Sequence, residues 1–110
     1  MARMTDRQSV GANATVSNAL SGKTHEFISE PSIVRLFATA SAVGLNVTLI
    51  IGSETVLDDQ EVNAQNRLPI VPDDFVVEGG GLPGDRIVLR LRNTTGAAIT
   101  AFSSVEVIPA

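Results

Sequence analysis

The stretch from Gly79 to Asn93, GGGLPGDRIVLRLRN, decides which fold class this chain of 110 residues adopts. Its glycines at 79, 81 and 84 match the G-x-G-x-x-G spacing that can wrap a backbone around a pyrophosphate. Such a site needs a helix directly after the glycines, so that the helix N-terminus meets the phosphates. The residues that follow, DRIVLRLRN, instead alternate apolar and polar side chains, which is typical of a strand. We therefore predict a wide turn, with Pro83 and Gly84 setting its bend, and no nucleotide site.

The same alternation places three arginines, Arg86, Arg90 and Arg92, on one face of this strand. One interpretation is a solvated outer face that also protects a sheet edge from pairing. The other is an ion-pairing face for an acidic neighbour, because guanidinium groups bind carboxylates through two parallel hydrogen bonds. That neighbour is either VLDDQE, residues 56–61 of the same chain, or another subunit. Direct contact with nucleic acid is not expected, because no aromatic residues are interleaved.

Strand patterns recur along the rest of the chain. SIVRLFATASA at 32–42 and LNVTLIIG at 45–52 both alternate, and the SAVG between them suits a hairpin connection. We expect a short strand at Phe75 to Val77, ended by the glycines, and a closing hairpin whose second strand is Ile99 to Ile108. The segment LPIVP at 68–72 is predicted to be an edge strand or an extended connection, because proline removes ladder donors.

Short strands at about ten-residue spacing, without an amphipathic helix, predict the fold class. We expect an all-β protein, a single small β-sandwich or jelly roll with an extended N-terminal arm. Residues 1–24 are small and polar with a weak alternation, and form an N-terminal arm or an edge strand. Residues 25–110 form the β-sandwich domain.

The composition leaves little material for catalysis. The chain has no cysteine and a single histidine, His25, so thiolate sites, histidine-rich metal sites and a Ser-His-Asp triad with a spare base are not expected. The acidic residues at 58, 59, 61, 73 and 74 lack the order of a calcium loop and are interpreted as a solvated acidic loop. A net charge of −4 disfavours general binding to nucleic acid. We predict a soluble non-enzymatic protein without cofactor, metal, signal peptide or membrane segment.

Two segments carry a family resemblance: MARMTDRQSVGANATVSNALSG at the N-terminus and the last third, GDRIVLRLRNTTGAAITAFSSVEVIP. In these, the chain resembles the small β-sandwich proteins of bacteriophage virions, particularly capsid decoration (cement) proteins. The resemblance implies a structural protein on the capsid surface whose partners are the major capsid protein and copies of itself, in a homo-oligomer that is often a trimer.

The resemblance also implies roles for five residues. Arg3 and Arg7 are expected to make capsid or inter-subunit contacts, and Arg86, Arg90 and Arg92 to form salt bridges at a subunit interface. The alternative is a monomeric β-sandwich binding or adhesion module of the cell-surface or tail-fibre type, which predicts an exposed aromatic or loop-borne ligand site.

Overall fold

The computed structural model describes residues 2–23, 26–65 and 74–109, and in these it contains strands but no helix. The strands are β1 Ala2–Val10, β2 Thr15–Val16, β3 Ser32–Ala40, β4 Leu45–Ile51, β5 Glu54–Glu61, β6 Asn63–Ala64, β7 Phe75–Gly81, β8 Ile87–Asn93 and β9 Ile99–Pro109. The predictions for His25, for Asp73 and for LPIVP at 68–72 lie outside the described residues. The all-β fold class is confirmed.

The strands form two sheets with the connectivity of a jelly roll. Sheet A has the order β1-β9-β3, and both β6 and β7 pair with β3; sheet B has the order β2-β8-β4-β5. The chain forms one long hairpin through four antiparallel strand pairs: β1 with β9, β2 with β8, β3 with β7 and β4 with β5. This hairpin wraps over on itself, so that β3 also pairs with β9 and β4 with β8. Wrapping of this kind gives the double-sheet jelly roll.

The core lies between the two sheets and is almost entirely aliphatic. Successive side chains of a strand point to opposite faces, so each inner strand contributes every second residue to the core. The strands predicted from alternation at 32–42, at 45–52 and after the glycines are present as β3, β4 and β8. The side chains that the four central strands contribute to the hydrophobic core are Val34, Leu36, Ala38, Ala40, Leu45, Val47, Leu49, Ile51, Ile87, Leu89, Leu91, Ile99, Ala101 and Val105.

The extended N-terminal arm is not what the structure shows. Residues 2–10 form β1, which pairs with β9 at nine consecutive positions, from Ala2 opposite Val107 to Val10 opposite Ile99. Met4 and Val10 are buried in the core, and this burial together with the backbone ladder holds the segment on its own chain. The division of the chain at residue 24 stays a prediction, because residues 24 and 25 lie outside the described ranges.

Two predicted hairpins are wrong, because both connections cross between the sheets. SAVG joins β3 of sheet A to β4 of sheet B, and NTTGAA joins β8 of sheet B to β9 of sheet A. A four- to six-residue connection is long enough either to turn within a sheet or to pass over the core to the other one. Local sequence therefore does not distinguish the two paths.

The glycine run and the acidic segment also differ from expectation. The glycines at 79–81 belong to β7, and of the glycines between 79 and 84 only Gly84, with φ of 91°, has the left-handed conformation of a turn. A Cβ on Gly81 would overlap the Cδ1 of Ile28, so this glycine permits close packing. The acidic residues 58, 59 and 61 lie on strand β5 and not in a loop.

Asn93 joins the N-terminal strand to the connection between β8 and β9. It is fully buried, and its side-chain amide donates to the carbonyl oxygens of Val10 at 3.1 Å, Gly11 at 3.1 Å and Ala97 at 2.7 Å. Its Oδ1 accepts from the backbone N–H of Thr95 at 2.9 Å. One side chain thus satisfies polar groups from two segments, residues 10–11 and residues 95–97.

Replacing Asn93 with alanine is expected to lower the free energy of unfolding by about 2 kcal/mol, because buried carbonyl groups lose their donor. Urea denaturation followed by circular dichroism measures the change. The control is Asn63→Ala, since Asn63 is exposed on β6, and it should alter stability by less than about 0.5 kcal/mol. Equal stabilities of the two variants would contradict the role given to Asn93.

Candidate functional site

The five arginines predicted to make contacts fall into two groups on opposite sides of the sandwich. Arg3 and Arg7 lie on the outer face of sheet A. Their partners on β9, Glu106 and Phe102, alternate along that strand with Val105 and Ala101, whose side chains are part of the core. Arg86, Arg90 and Arg92 project from the outer face of sheet B, as their strand's buried residues face the core. The two groups therefore do not form one continuous basic surface.

The outer face of sheet A carries a row of alternating charges. Arg3 on β1 lies opposite Glu106 on β9, Glu106 lies opposite Arg35 on β3, and Arg35 lies opposite Glu78 on β7. The Nη2 of Arg3 is 2.5 Å from Glu106 Oε2, and the Nε of Arg35 is 3.2 Å from Glu78 Oε1. Glu106 is only 3% exposed although it faces outward. Opposite charges on directly facing strand positions stabilise the sheet.

Aromatic contacts complete this face. The guanidinium of Arg7 lies 5.3 Å from the centre of the Phe102 ring, at the distance of a cation–π contact. Phe37 and Phe75 pack edge to face with ring centres 5.8 Å apart. Both arginines of β1 thus have partners within their own chain.

On sheet B, Arg86 binds a buried carboxylate. Its Nε donates to Glu26 Oε2, and Glu26 also accepts from the backbone N–H of Gly22 at 2.9 Å and from Asn18 Nδ2 at 3.3 Å. The hydrogen bond from the Gly22 N–H lowers the pKa of Glu26 below its usual 4.5, and the hydrogen bond from Arg86 is the next largest cause of this lowering. Asn18 in turn accepts from the backbone N–H of Leu89, so this network fastens the loop after β2 to β8.

Arg92 pairs with Asp59 in the same chain, as one of the two sequence interpretations proposed. Arg92 Nε and Nη2 lie 2.9 Å and 2.5 Å from the two carboxylate oxygens of Asp59, in the two-pronged geometry of guanidinium and carboxylate. This hydrogen-bonded pairing lowers the pKa of Asp59 and raises that of Arg92.

A bulge in β5 aims the Asp59 carboxylate. Its register with β4 shifts between Val47 and Leu49, so that Asp58 and Asp59 together lie opposite Thr48. Asp59 has a left-handed φ of 50°, and its N–H donates to Thr48 Oγ1 at 3.0 Å. Aspartate is one of the few residues that adopt this conformation at modest cost.

Arg90 differs from the other four arginines. It is exposed opposite Thr48, and its side chain makes no ion pair or hydrogen bond with any residue in the described ranges. The exposed carboxylates of Asp58 and Glu61 on β5 likewise have no ion pair there. The sheet that brings Arg92 to Asp59 therefore leaves charges of both signs unpaired on the same face.

Other features of the surface were not foreseen from the sequence. Phe27 is 60% exposed and Leu82 is 65% exposed. Both side chains lie at one end of the sandwich, because the backbone of residues 26–28 forms hydrogen bonds with the backbone of residues 84–87. A cleft of about 230 Å³ opens between β5 and β7, lined by Leu57, Val62, Ala38 and Val76 among others. The sequence gives no signal for either, because exposure of one apolar side chain depends on where the neighbouring loops pack.

The described residues also bear on metal binding and on membrane insertion. Among them, no three His, Asp or Glu residues are grouped as a metal ion requires. None of the described residues forms a helix long and apolar enough to cross a lipid bilayer.

The buried carboxylate of Glu26 makes stability depend on pH. Because its pKa is lower in the folded than in the unfolded chain, its stabilising contribution is full above pH 4.5 and is lost as the pH falls further. Glu26→Gln is expected to reduce the difference between the unfolding free energies at pH 7 and pH 3, both measured with urea. The control Glu30→Gln removes an exposed carboxylate and should keep the wild-type difference. An unchanged difference in Glu26→Gln would contradict this role.

Comparison of the chain with protein-family models, with curated proteins and with solved structures gives no match.

Proposed function

We propose that this protein is a non-enzymatic structural protein of a virion, a decoration or cement protein that stabilises a bacteriophage capsid. Its partners are the major capsid protein and further copies of itself on the capsid surface. The jelly-roll wrapping supports the proposal, because viral capsid domains commonly use this fold. Lectins and cupins use it too, so the proposal depends on the surfaces and not on the fold alone.

The observation that carries the proposal is the open edge of β1. This strand pairs only with β9, and apart from the Asn93 amide on Val10 its other side has no hydrogen-bond partner in the described chain. The other edge strands in the described residues are less suited to pairing: β2 and β6 have two residues each, while β5 and β7 have register shifts. The alternate residues of this regular nine-residue strand whose N–H and C=O groups point away from β9 therefore offer donors and acceptors to an added strand.

The β1 edge has features that limit indiscriminate pairing. Asp6 lies on the side of β1 that faces the core, 3.5 Å from the Nζ of Lys23, and the strand also carries Arg3 and Arg7. Charged edges of this kind discourage aggregation. A partner strand must then supply matching polar groups, which favours a specific contact with a lattice.

The mechanism is energetic and not chemical. A protein that binds the assembled capsid but not the dissociated subunits shifts the equilibrium toward the assembled state by mass action. Many copies bound at repeated positions add these contributions over the whole particle. Each contact can be weak without loss of the overall effect.

The direct experiment is co-sedimentation with capsids assembled from the major capsid protein of the phage concerned. The proposal requires the protein to sediment with intact particles, to be released when these are disrupted, and to raise the temperature at which they dissociate. Failure to sediment over the micromolar range would refute it.

Placing lysines on β1 tests the edge itself. Thr5→Lys with Ser9→Lys, both at exposed positions, is expected to weaken capsid binding by about tenfold, because edge lysines block strand addition. The control Ser53→Lys with Ala64→Lys adds the same charge at exposed positions away from β1 and should bind as the wild type does. Circular dichroism verifies that both variants are folded. Equal binding by both would remove β1 from the contact.

A second candidate, a monomeric binding module, is favoured by exposed Phe27 and Leu82. Apolar side chains at a loop end are the kind of site that this alternative requires. The module predicts a light-scattering mass of one chain, 11.5 kDa, at all concentrations and no sedimentation with capsids. Association between copies together with capsid binding would exclude it.

A further inference from the structure

The outer face of sheet B separates its charges into two margins. Strand β8 carries the arginines, and β5, two strands away, carries acidic residues without a single basic one. Glu61 lies opposite Asn46, and Asp58 lies beside Thr48, so both belong to the outward-facing rows of the sheet. The same rows lead across β4 to Arg92 and Arg90. One face thus has a basic margin and an acidic margin.

Pairing within the chain satisfies only part of this charge. Arg92 binds Asp59 and Arg86 binds Glu26, whereas Arg90, Asp58 and Glu61 have no ion pair in the described part of the chain. The outer face of sheet A is different, because its row from Arg3 to Glu78 alternates in sign across every strand. Sheet A is therefore electrostatically matched within the chain, and sheet B is not.

The residues of the strip between the two margins carry no charge of their own, and the Arg92–Asp59 pair that crosses it is matched within the chain. On β4 the strip consists of Asn46, Thr48 and Ile50, and Val88 adjoins it on β8. Thr48 is only 5% exposed, and Ile50 and Val88 are half-buried. Such a strip can be covered by another sheet without leaving a charge unpaired beneath it.

We propose that two copies of the chain pack these outer faces of sheet B against each other about a two-fold axis that runs along β4. This rotation lays β8 of each copy over β5 of the other. Arg90 of each copy then meets Asp58 and Glu61 of the other copy, so the same contact forms twice. The interface is self-complementary, as two-fold symmetry demands. Stacked sheets of this kind lie about 10 Å apart with their strands within about 30°.

The size of the face sets the expected strength. Four strands about 4.8 Å apart and seven residues of about 3.3 Å each give a face of roughly 20 Å by 23 Å. Because β2 is only two residues long, two such faces bury less than this outline, on the order of 700 Å², at the low end for weak specific complexes. We expect a dimer with a micromolar dissociation constant that rises with salt, because ion pairs hold its margins. The inference rests on the self-association included in the proposed function. For this contact it specifies a dimer, where the family resemblance implies a trimer.

Charge reversal in separate variants provides the test, with sedimentation equilibrium as the measurement. Arg90→Glu alone and Asp58→Lys with Glu61→Lys are each expected to raise the dimer dissociation constant about tenfold or more, because like charges then face each other. An equimolar mixture of the two should recover dimer, since every contact in the mixed pair is again between opposite charges. Recovery also demonstrates that both variants are folded.

Two controls reproduce the charge changes elsewhere. Glu30→Lys with Ser53→Lys and Ala64→Lys matches the net charge change of the acidic variant, and Ser53→Glu with Ala64→Glu matches that of Arg90→Glu; positions 30, 53 and 64 are exposed and lie outside the two margins. Both controls should dimerise as the wild type does.

The outcomes separate this inference from the proposed function. The face-to-face dimer is overturned if wild-type protein stays monomeric up to millimolar concentration. It is also overturned if the charge-reversal variants dimerise as the wild type does, or if mixing the two variants fails to restore the dimer. Capsid co-sedimentation by wild-type protein decides the decoration function independently of either result. A dimer lost in the β1 lysine variant but kept in Arg90→Glu would assign self-association to the β1 edge instead.

Discussion

The pairing of β9 with both β1 and β3 is the constraint on which the rest of the molecule depends. Nine consecutive positions of β9 face β1 on one side, and nine face β3 on the other. The first and last strands of the described chain are thereby joined, and the ladder between them closes the wrap of the long hairpin. Contacts this distant in sequence carry a large entropic cost of loop closure, so we expect slow folding for a chain of this size.

Strands whose inner face is continuously buried could be predicted from the sequence almost in full, and edge strands only in part, as for β7, of which Phe75 to Val77 was predicted. The alternation in β3, β4 and β8 is regular because these strands lie inside sheets, with one face on the core. In β5 the bulges interrupt the period, so that Val56 and Leu57 are neighbours and both half-buried. In β1 the positions that face the core include Asp6 and Gln8, which weakens the apolar signal.

The candidate site shows a similar division between local and distant information. Alternation predicts that Arg86, Arg90 and Arg92 share a face, because this follows from the strand period alone. The acid that meets each arginine depends on sheet order, which brings β5 within two strands of β8. The pairing of Arg92 with Asp59 depends further on a left-handed residue in a bulge. Neither the sheet order nor the bulge can be read from the segment that carries the arginines.

The two surfaces proposed for contacts belong to different sheets, and this has a consequence for assembly. The open edge of β1 continues sheet A, whereas the charge-separated face covers the outside of sheet B. A strand added to β1 extends sheet A sideways and leaves the outer face of sheet B free. One subunit can therefore bind a lattice through its edge and a second copy through its face at the same time. Two weak contacts joined in this way bind more tightly than either does alone, because the second forms at a high effective concentration. Under the proposed function, a small aliphatic sandwich can in this way stabilise a much larger particle.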